Sequence, residues 1–355
     1  MRAGTAIART ERDRRWRSQR KRLRQFGLLG DEGPAEGLRR IALGQLDIAL
    51  ELLDGEIGRD RAAVAVHETR KSLKRLRALM RLLEAELPPR AFAVENASLR
   101  DMGHRLAGAR DAEVMLATLE QLLGRHPRKL GRRRRLMRLR EQLAAERDRA
   151  AATAMLGDAA ARRELIDELR ALRSRVLQWR LPERPGMELA AAGLWRIYRQ
   201  GRRRHRRAAR GKGERTRAMH EWRKRVKDLR HVAEMLDRRD PSGDRARPGG
   251  RRHGGSARRR KLREAARIRR LARRADALGE VLGEDHDLAV FAERVRNDRS
   301  LRLGRRSRRT LLRLIARRQR RLRRRALRDG ARLYRRPPKA FVGRVRDAYA
   351  RGART

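Results

Sequence analysis

Leucine and alanine recur along the chain at intervals of three and four, with polar residues between them. This is the period of a helix that buries one face, and no stretch shows the alternation of a half-buried strand. The pattern predicts helices over about 36–54, 60–86, 90–106, 110–124, 130–157 and 159–180. A break follows at LPERPGMEL, where Pro182, Pro185 and a Gly interrupt the period. Helices resume over about 188–209, 214–238, 258–282, 286–297, 305–334 and 338–351. The expected fold class is all-α. Residues 1–35 read as a basic, largely irregular tail, although RRWRSQRKRLRQF has apolar residues spaced for one helix face. The segment DPSGDRARPGGRRHGGSA, from Asp240 to Ala257, reads as a flexible Gly/Arg-rich loop.

The break near residue 185 divides the helices into two similar halves, a sign of an internal repeat. HETRKSLKRLRA, beginning at His67, and HEWRKRVKDLRH, beginning at His220, agree at seven of twelve positions. Downstream, LAGARDAEV aligns with LGEDHDLAV, setting Asp111 over Asp287. The interval from His to Asp is 44 residues in the first copy and 67 in the second, an excess of 23 close to the size of the Gly/Arg-rich loop. The domain organisation expected is therefore a tail (1–35), a first helical repeat (36–185) and a second (186–355) interrupted by an insertion at about 239–257.

At about 100° per residue, His67, Arg70, Lys71, Lys74, Arg77 and Arg81 fall within an arc of roughly 120°. Leu73, Leu76, Leu79, Met80 and Leu83 fall opposite. In the second copy His220, Arg223, Lys224, Lys227, Arg230 and His231 fill the arc, while Trp222, Val226, Leu229, Val232 and Leu236 fill the apolar side. Up to residue 231 neither arc contains an acid. A solvated helix face usually mixes signs, since like charges one turn apart repel. Two matched rows of one sign read instead as donors for a chain of phosphates. Arg offers a planar fork, Lys a point charge, and His a donor that gains charge as pH falls. Metal binding is not expected, because the His residues lack partner ligands at helical spacing. Asp111 and Asp287 each follow a Gly-containing break and precede an apolar run, and so read as structural turn or N-cap residues. Their neighbours Arg110 and His286 are secondary binding candidates. His104, His126, His205 and His253 carry no usable pattern.

Composition sharpens this picture. The 355 residues include 99 Lys plus Arg against 44 Asp plus Glu, a formal net charge of +55. Self-repulsion on that scale calls for a polyanionic partner: nucleic acid, an anionic membrane or inorganic polyphosphate. There is no Cys, which excludes disulfides, thiolate metal sites and Cys nucleophiles. The N-terminal residues have no signal-peptide core, and no run approaches the roughly 20 apolar residues of a spanning helix. A cytoplasmic location is expected.

The paired VHETRKSLKRLRA with LAGARDAEVML, and MHEWRKRVKDLRH with LGEDHDLAVF, resemble the CHAD domain, the conserved histidine α-helical domain. The resemblance spans roughly residues 36–350. It implies two four-helix-bundle-like repeats related by a pseudo-twofold axis, with basic helices lining a central cleft. It also implies binding of inorganic polyphosphate and association with polyphosphate granules. Carried over residue by residue, the binding set is His67, Arg70, Lys71, Lys74 and Arg77 with His220, Arg223, Lys224, Lys227 and Arg230. Two departures stand out: Asp228 occupies the position of Arg75, and Gly108 is shifted by one in LAGARD. No E-x-E-x-K signature of the CYTH triphosphatase that often accompanies CHAD domains is found, so a stand-alone CHAD protein without that hydrolase activity is expected.

The leading reading is a non-enzymatic polyphosphate binder with no cofactor. A non-sequence-specific nucleic-acid binder, using the Arg-rich tail and loop, is the alternative, although aromatic residues for base stacking are few. An enzyme is disfavoured, because phosphoryl chemistry usually needs carboxylates to hold metal ions and the rows contain none up to residue 231.

Overall fold

The computed structural model describes residues 22–54, 59–131, 134–152, 158–211, 214–237 and 256–353. Every extended element among them is a helix. The first half contains α1 (Pro34–Leu53), α2 (Arg59–Leu83), α3 (Pro89–Arg105), α4 (Gly108–Arg125), a wide π-type turn at Pro127–Gly131, α5 (Arg134–Ala152) and α6 (Ala159–Leu177). The second contains α7 (Glu188–Arg210), α8 (Arg215–Met235), α9 (Ser256–Asn297), α10 (Arg305–Leu333) and α11 (Pro338–Ala353).

Local chemistry sets the ends. Pro34 and Pro89 open α1 and α3, where a missing N–H costs nothing. The Asp158 carboxylate accepts from the Ala160 and Ala161 amides at 2.9 and 3.2 Å, capping α6. Gly211 closes α7 in the left-handed conformation, φ 65°.

In the first half α1 packs on α2 and α6, α2 on α3, and α4 on α5. In the second, α8 lies between α7 and α9, and α9 also carries α10 and α11. The apolar arcs of both His-bearing helices are buried as their wheels require: Leu73, Leu76, Leu79, Met80 and Leu83 in α2, and Trp222, Val226, Leu229, Val232 and Leu236 in α8.

The halves meet where α2 touches α7 and α8 and where α4 touches α9. Gly193 of α7 lies against the backbone of Leu82, so close that a Cβ there would overlap the Leu82 carbonyl oxygen. Arg196 donates to the Arg81 carbonyl at 3.1 Å and pairs with Glu84 at 3.0 Å. Arg81 reaches Asp228 of α8 at 2.8 Å.

Three expectations need correction. The helices expected at 258–282 and 286–297 are one continuous α9, because Gly283 stays helical and Glu284 and Asp285 pair with Arg318 and Arg323 of α10, each at 2.8 Å. Asp287 is therefore interior to a helix and not a turn or N-cap residue, whereas Asp111 stands in the first turn of α4, one turn past the Ala107 cap. The tail does not run irregularly to residue 35. Phe26, Leu28 and Leu29 are buried, and the Leu28 amide donates to the Met235 carbonyl at 2.8 Å. Buried Arg40 pairs with buried Glu32 at 2.6 Å and donates to the carbonyls of Arg22, Gln25 and Gly27. Residues 1–21 of the tail, and 239–255 of the Gly/Arg-rich loop, lie outside the described residues; Ser256 already begins α9.

Because the obstacle at Gly193 is backbone, Gly193→Ala can be accommodated only by separating α7 from α2. The substitution is expected to cost about 1–3 kcal/mol, read as a lowered thermal midpoint by circular dichroism with helical content retained.

Candidate functional site

The second cationic row is built where α8 crosses α9. Gly279 and Gly283 of α9 stand one turn apart, and the side chains of Lys227 and Arg223 lie over them, at 4.0 and 3.9 Å from where a Cβ would sit. Both cationic side chains therefore run along the surface of α9 instead of extending straight into water. One turn further on, His220 meets His286, Nδ1 to Nδ1 at 3.1 Å with ring centroids 4.3 Å apart. At that separation one nitrogen donates a proton to the other, so at least one ring is neutral.

The electrostatics follow from burial and like charge. Burial, then Arg223, His220, Lys227 and Lys224, push His286 down to about 3. Burial, then Lys224 and Arg223, lower His220. Lys227 is pushed down to about 8, by burial first and then by Arg223, with Glu280 opposing. Burial lowers Arg223, with Asp287 and Glu280 opposing. Arg223 Nε is buried without a hydrogen-bond partner, and Lys227 makes no ion pair within 4 Å of a described carboxylate.

The other members of that row differ. Lys224 pairs with Glu221 at 2.7 Å. Arg230 is compensated by Glu234 at 2.8 Å and by Asp276 at 2.6 Å. His231 is a correction: it is buried, its ring meets Phe26 edge-on, and its Nδ1 lies 3.3 Å from Glu234. The helix turns it into the core beneath the row, where residue 26 of the supposed tail covers it.

The first row is more open. His67 is exposed, with Nε2 3.9 Å from Glu68. Lys74 is exposed and Lys71 pairs with Glu68 at 2.9 Å. Arg70 donates to the Gly103 carbonyl of α3 at 2.8 Å. Arg77, half-buried, is lowered to about 10 by burial and then Arg81, with Arg100 and Arg225 adding to the effect. Arg81 is a second correction: its pairing with Asp228 makes it a tie between the halves rather than an exposed donor. Arg110 lies in the first turn of α4, and its side chain falls outside the described residues; Asp111 is exposed.

The rows are also less acid-free than each wheel implies. Glu68 and Glu221 each reach the lysine three residues on, and α9 brings Asp276 and Glu280 against Arg230. A wheel of one helix carries no information about its neighbour. Sequence reasoning missed Gly279 and Gly283, although their spacing of four was a readable sign of close helix approach. Of the unassigned histidines, His205 packs on Trp222 at 4.9 Å and is structural, while His253 lies outside the described residues.

Fold and site thus define an all-α protein with a desolvated cluster of Arg, Lys and His side chains at a helix crossing. The family profile of the CHAD domain matches residues 40–239, more than half of the 355-residue chain and including both His-bearing helices. The chain belongs to the CHAD domain family. Among solved structures it is similar to the crystal structure of the CHAD domain from the plant Ricinus communis, with 20% identity over 93% of this chain and 96% of that one and a TM-score of 0.46. A search of curated proteins returned no match. No helix among the described residues is long and apolar enough to cross a membrane.

The depressed Lys227 titration has a sign that can be checked. Between about 8 and its ordinary value of 10.5 the unfolded chain holds more protons than the folded one, so stability rises with pH across that window. Lys227→Met removes a cation that the fold tolerates poorly. In anion-free buffer it is expected to raise the thermal midpoint at pH 7 and to flatten the rise in stability between pH 8 and 10.5, both measured by calorimetry.

Proposed function

We propose that this protein binds inorganic polyphosphate along the two cationic rows, without catalysing a reaction on it. On this reading His67, Arg70, Lys71, Lys74 and Arg77 act with His220, Arg223, Lys224, Lys227, Arg230 and His286, and the two rows border one cleft about a pseudo-twofold axis. The observation that carries the proposal is the cluster in which the cations Arg223 and Lys227 are desolvated beside the His220–His286 pair, with Lys227 pushed down to about 8 and His286 to about 3. A linear phosphate polymer supplies opposite charge beside Arg223 and Lys227, and its oxygens accept from guanidinium, ammonium and imidazole alike. Membership of a family linked in general to polyphosphate binding supports the same reading. The packing of α2 on α8, with Arg77 feeling the charges of Arg81 and Arg225, supports the approach of the rows at one end. Association with polyphosphate granules in the cytoplasm follows as the cellular form of this activity.

The test is polyphosphate binding by wild type and by a Lys71→Ala/Lys74→Ala/Lys224→Ala/Lys227→Ala variant across a salt series. Removing one phosphate-bound lysine lowers the slope of log K against log salt by roughly 0.7 for a single-stranded polymer, so removing all four reduces it by about 3. An unchanged slope in a folded variant rejects the rows as the site. Competition by duplex DNA or RNA at fixed salt tests the nucleic-acid alternative, and phosphate release with added divalent metal tests for an enzyme.

A further inference from the structure

A cavity of about 250 Å³ opens among α7, α9, α10 and α11, in the second half of the chain and apart from the rows just described. Its floor is apolar: Ile268 and Leu271 from α9, Leu333 from α10, and Phe341, Val345 and Ala348 from α11. Its rim is entirely cationic. Arg267, Arg270 and Arg274 come from α9, Arg332 from α10, Arg335 and Arg336 from the turn after it, and Arg344 from α11. No Asp or Glu lines it. The rim is built in place by Tyr198, whose hydroxyl lies 3.2 Å from the carbonyls of both Leu333 and Arg336 and holds the turn that carries Arg335 and Arg336. Burial pushes that phenol up to about 12, so it remains a neutral donor at physiological pH.

Three ligand types can be weighed against this lining. An inorganic anion uses the rim and gains nothing from the floor. A neutral apolar molecule uses the floor and leaves the guanidinium groups repelling one another. A nucleotide needs a stacking face and groups that read base edges. Here Tyr198 and Phe341 stack on each other at 3.8 Å and 8° and are both buried, and the lining contains no Ser, Thr, Asn, Gln, Asp, Glu or His. We propose that the cavity binds a single-chain anionic amphiphile, its alkyl chain on the floor between α9 and α11 and its phosphate or carboxylate head among Arg270, Arg274, Arg336 and Arg344. Apolar burial and charge-assisted hydrogen bonds then act on one molecule.

The probe is decyl phosphate below its micelle concentration, titrated calorimetrically into the full chain. One-to-one binding is expected, with inorganic phosphate and decyl glucoside each weaker by at least about tenfold, as removal of a charged hydrogen-bonding group or of apolar burial implies. The exposed rim variant Arg270→Ala/Arg274→Ala/Arg344→Ala is expected to weaken decyl phosphate by at least about tenfold. Leu271→Asn serves as a second variant if the first melts below wild type. The Lys71→Ala/Lys74→Ala/Lys224→Ala/Lys227→Ala variant is expected to bind decyl phosphate as wild type does, which separates this site from the polyphosphate rows. Phosphatidylglycerol vesicles distinguish the source. Co-sedimentation that the rim variant abolishes assigns a membrane headgroup, whereas monomer binding without co-sedimentation assigns a free amphiphile. Equal binding of inorganic phosphate, wild-type affinity in the folded rim variant, or failure of the lysine variant to bind overturns the proposal.

Discussion

Where the carboxylates stand decides how this chain arranges its charge, because an acid that ties two helices together no longer neutralises the surface. Glu32 is buried against Arg40, Asp228 joins Arg81 across the halves, and Asp285 holds Arg323 of α10. Glu146 reaches Arg294, Asp47 reaches Arg173, and Glu284 is shared by Arg125 and Arg318. The most buried of these pairs are the ones whose disruption matters, since removing one partner strands the other charge away from water. The exposed pairs contribute little by comparison. With 44 acids against 99 Lys and Arg, every acid committed to such a tie widens the cationic excess left to the rest of the chain.

That asymmetry gives the α8–α9 crossing its character. An ordinary cationic helix face is harmless because each side chain extends into water. Arg223 and Lys227 instead lie over two glycines, and His220 and His286 press together one turn away. Desolvation and mutual repulsion act in the same direction on each group, which is why the imidazoles and the ammonium all titrate low. At Arg230 the direction reverses: burial is outweighed by Glu234 of α8, and after it by Asp276 and Glu280 of α9, and Arg230 is raised. The same two helices therefore contain an end where Arg230 is directly ion-paired and an end where Glu280 and Asp287 only partly offset the burial of Arg223 and Lys227.

The helical fold was legible because its signal is local. Leucine spacing gave the apolar arcs of α2 and α8, and every residue assigned to them is buried. Packing between helices was not legible, and the misreadings share that cause. Arg81 and His231 lie on the cationic arc of their own helices but face Asp228 and Phe26, residues 147 and 205 positions away. Asp287 follows a glycine that in isolation signals a break, yet ion pairs to α10 hold the helix straight through it. Phe26 sits in a basic segment whose composition suggests a tail, yet Arg40 gathers three of its carbonyls and the Leu28 amide bonds to Met235, contacts that no local pattern announces. The cavity beside Tyr198 is assembled from four helices and left no mark in any one of them.

Proton binding connects the stability of the crossing to its proposed activity. In the absence of an anion the folded protein holds fewer protons at the imidazole pair than the unfolded chain does between about pH 3 and 6.5, so acid works against the fold there. A polyphosphate laid along Arg223 and Lys227 adds opposite charge beside the same rings and favours their protonated forms. Binding then draws protons in, and by linkage the affinity rises as pH falls. On the proposed reading, acid works against the empty crossing while tightening its hold on the polymer, and the same groups carry both effects.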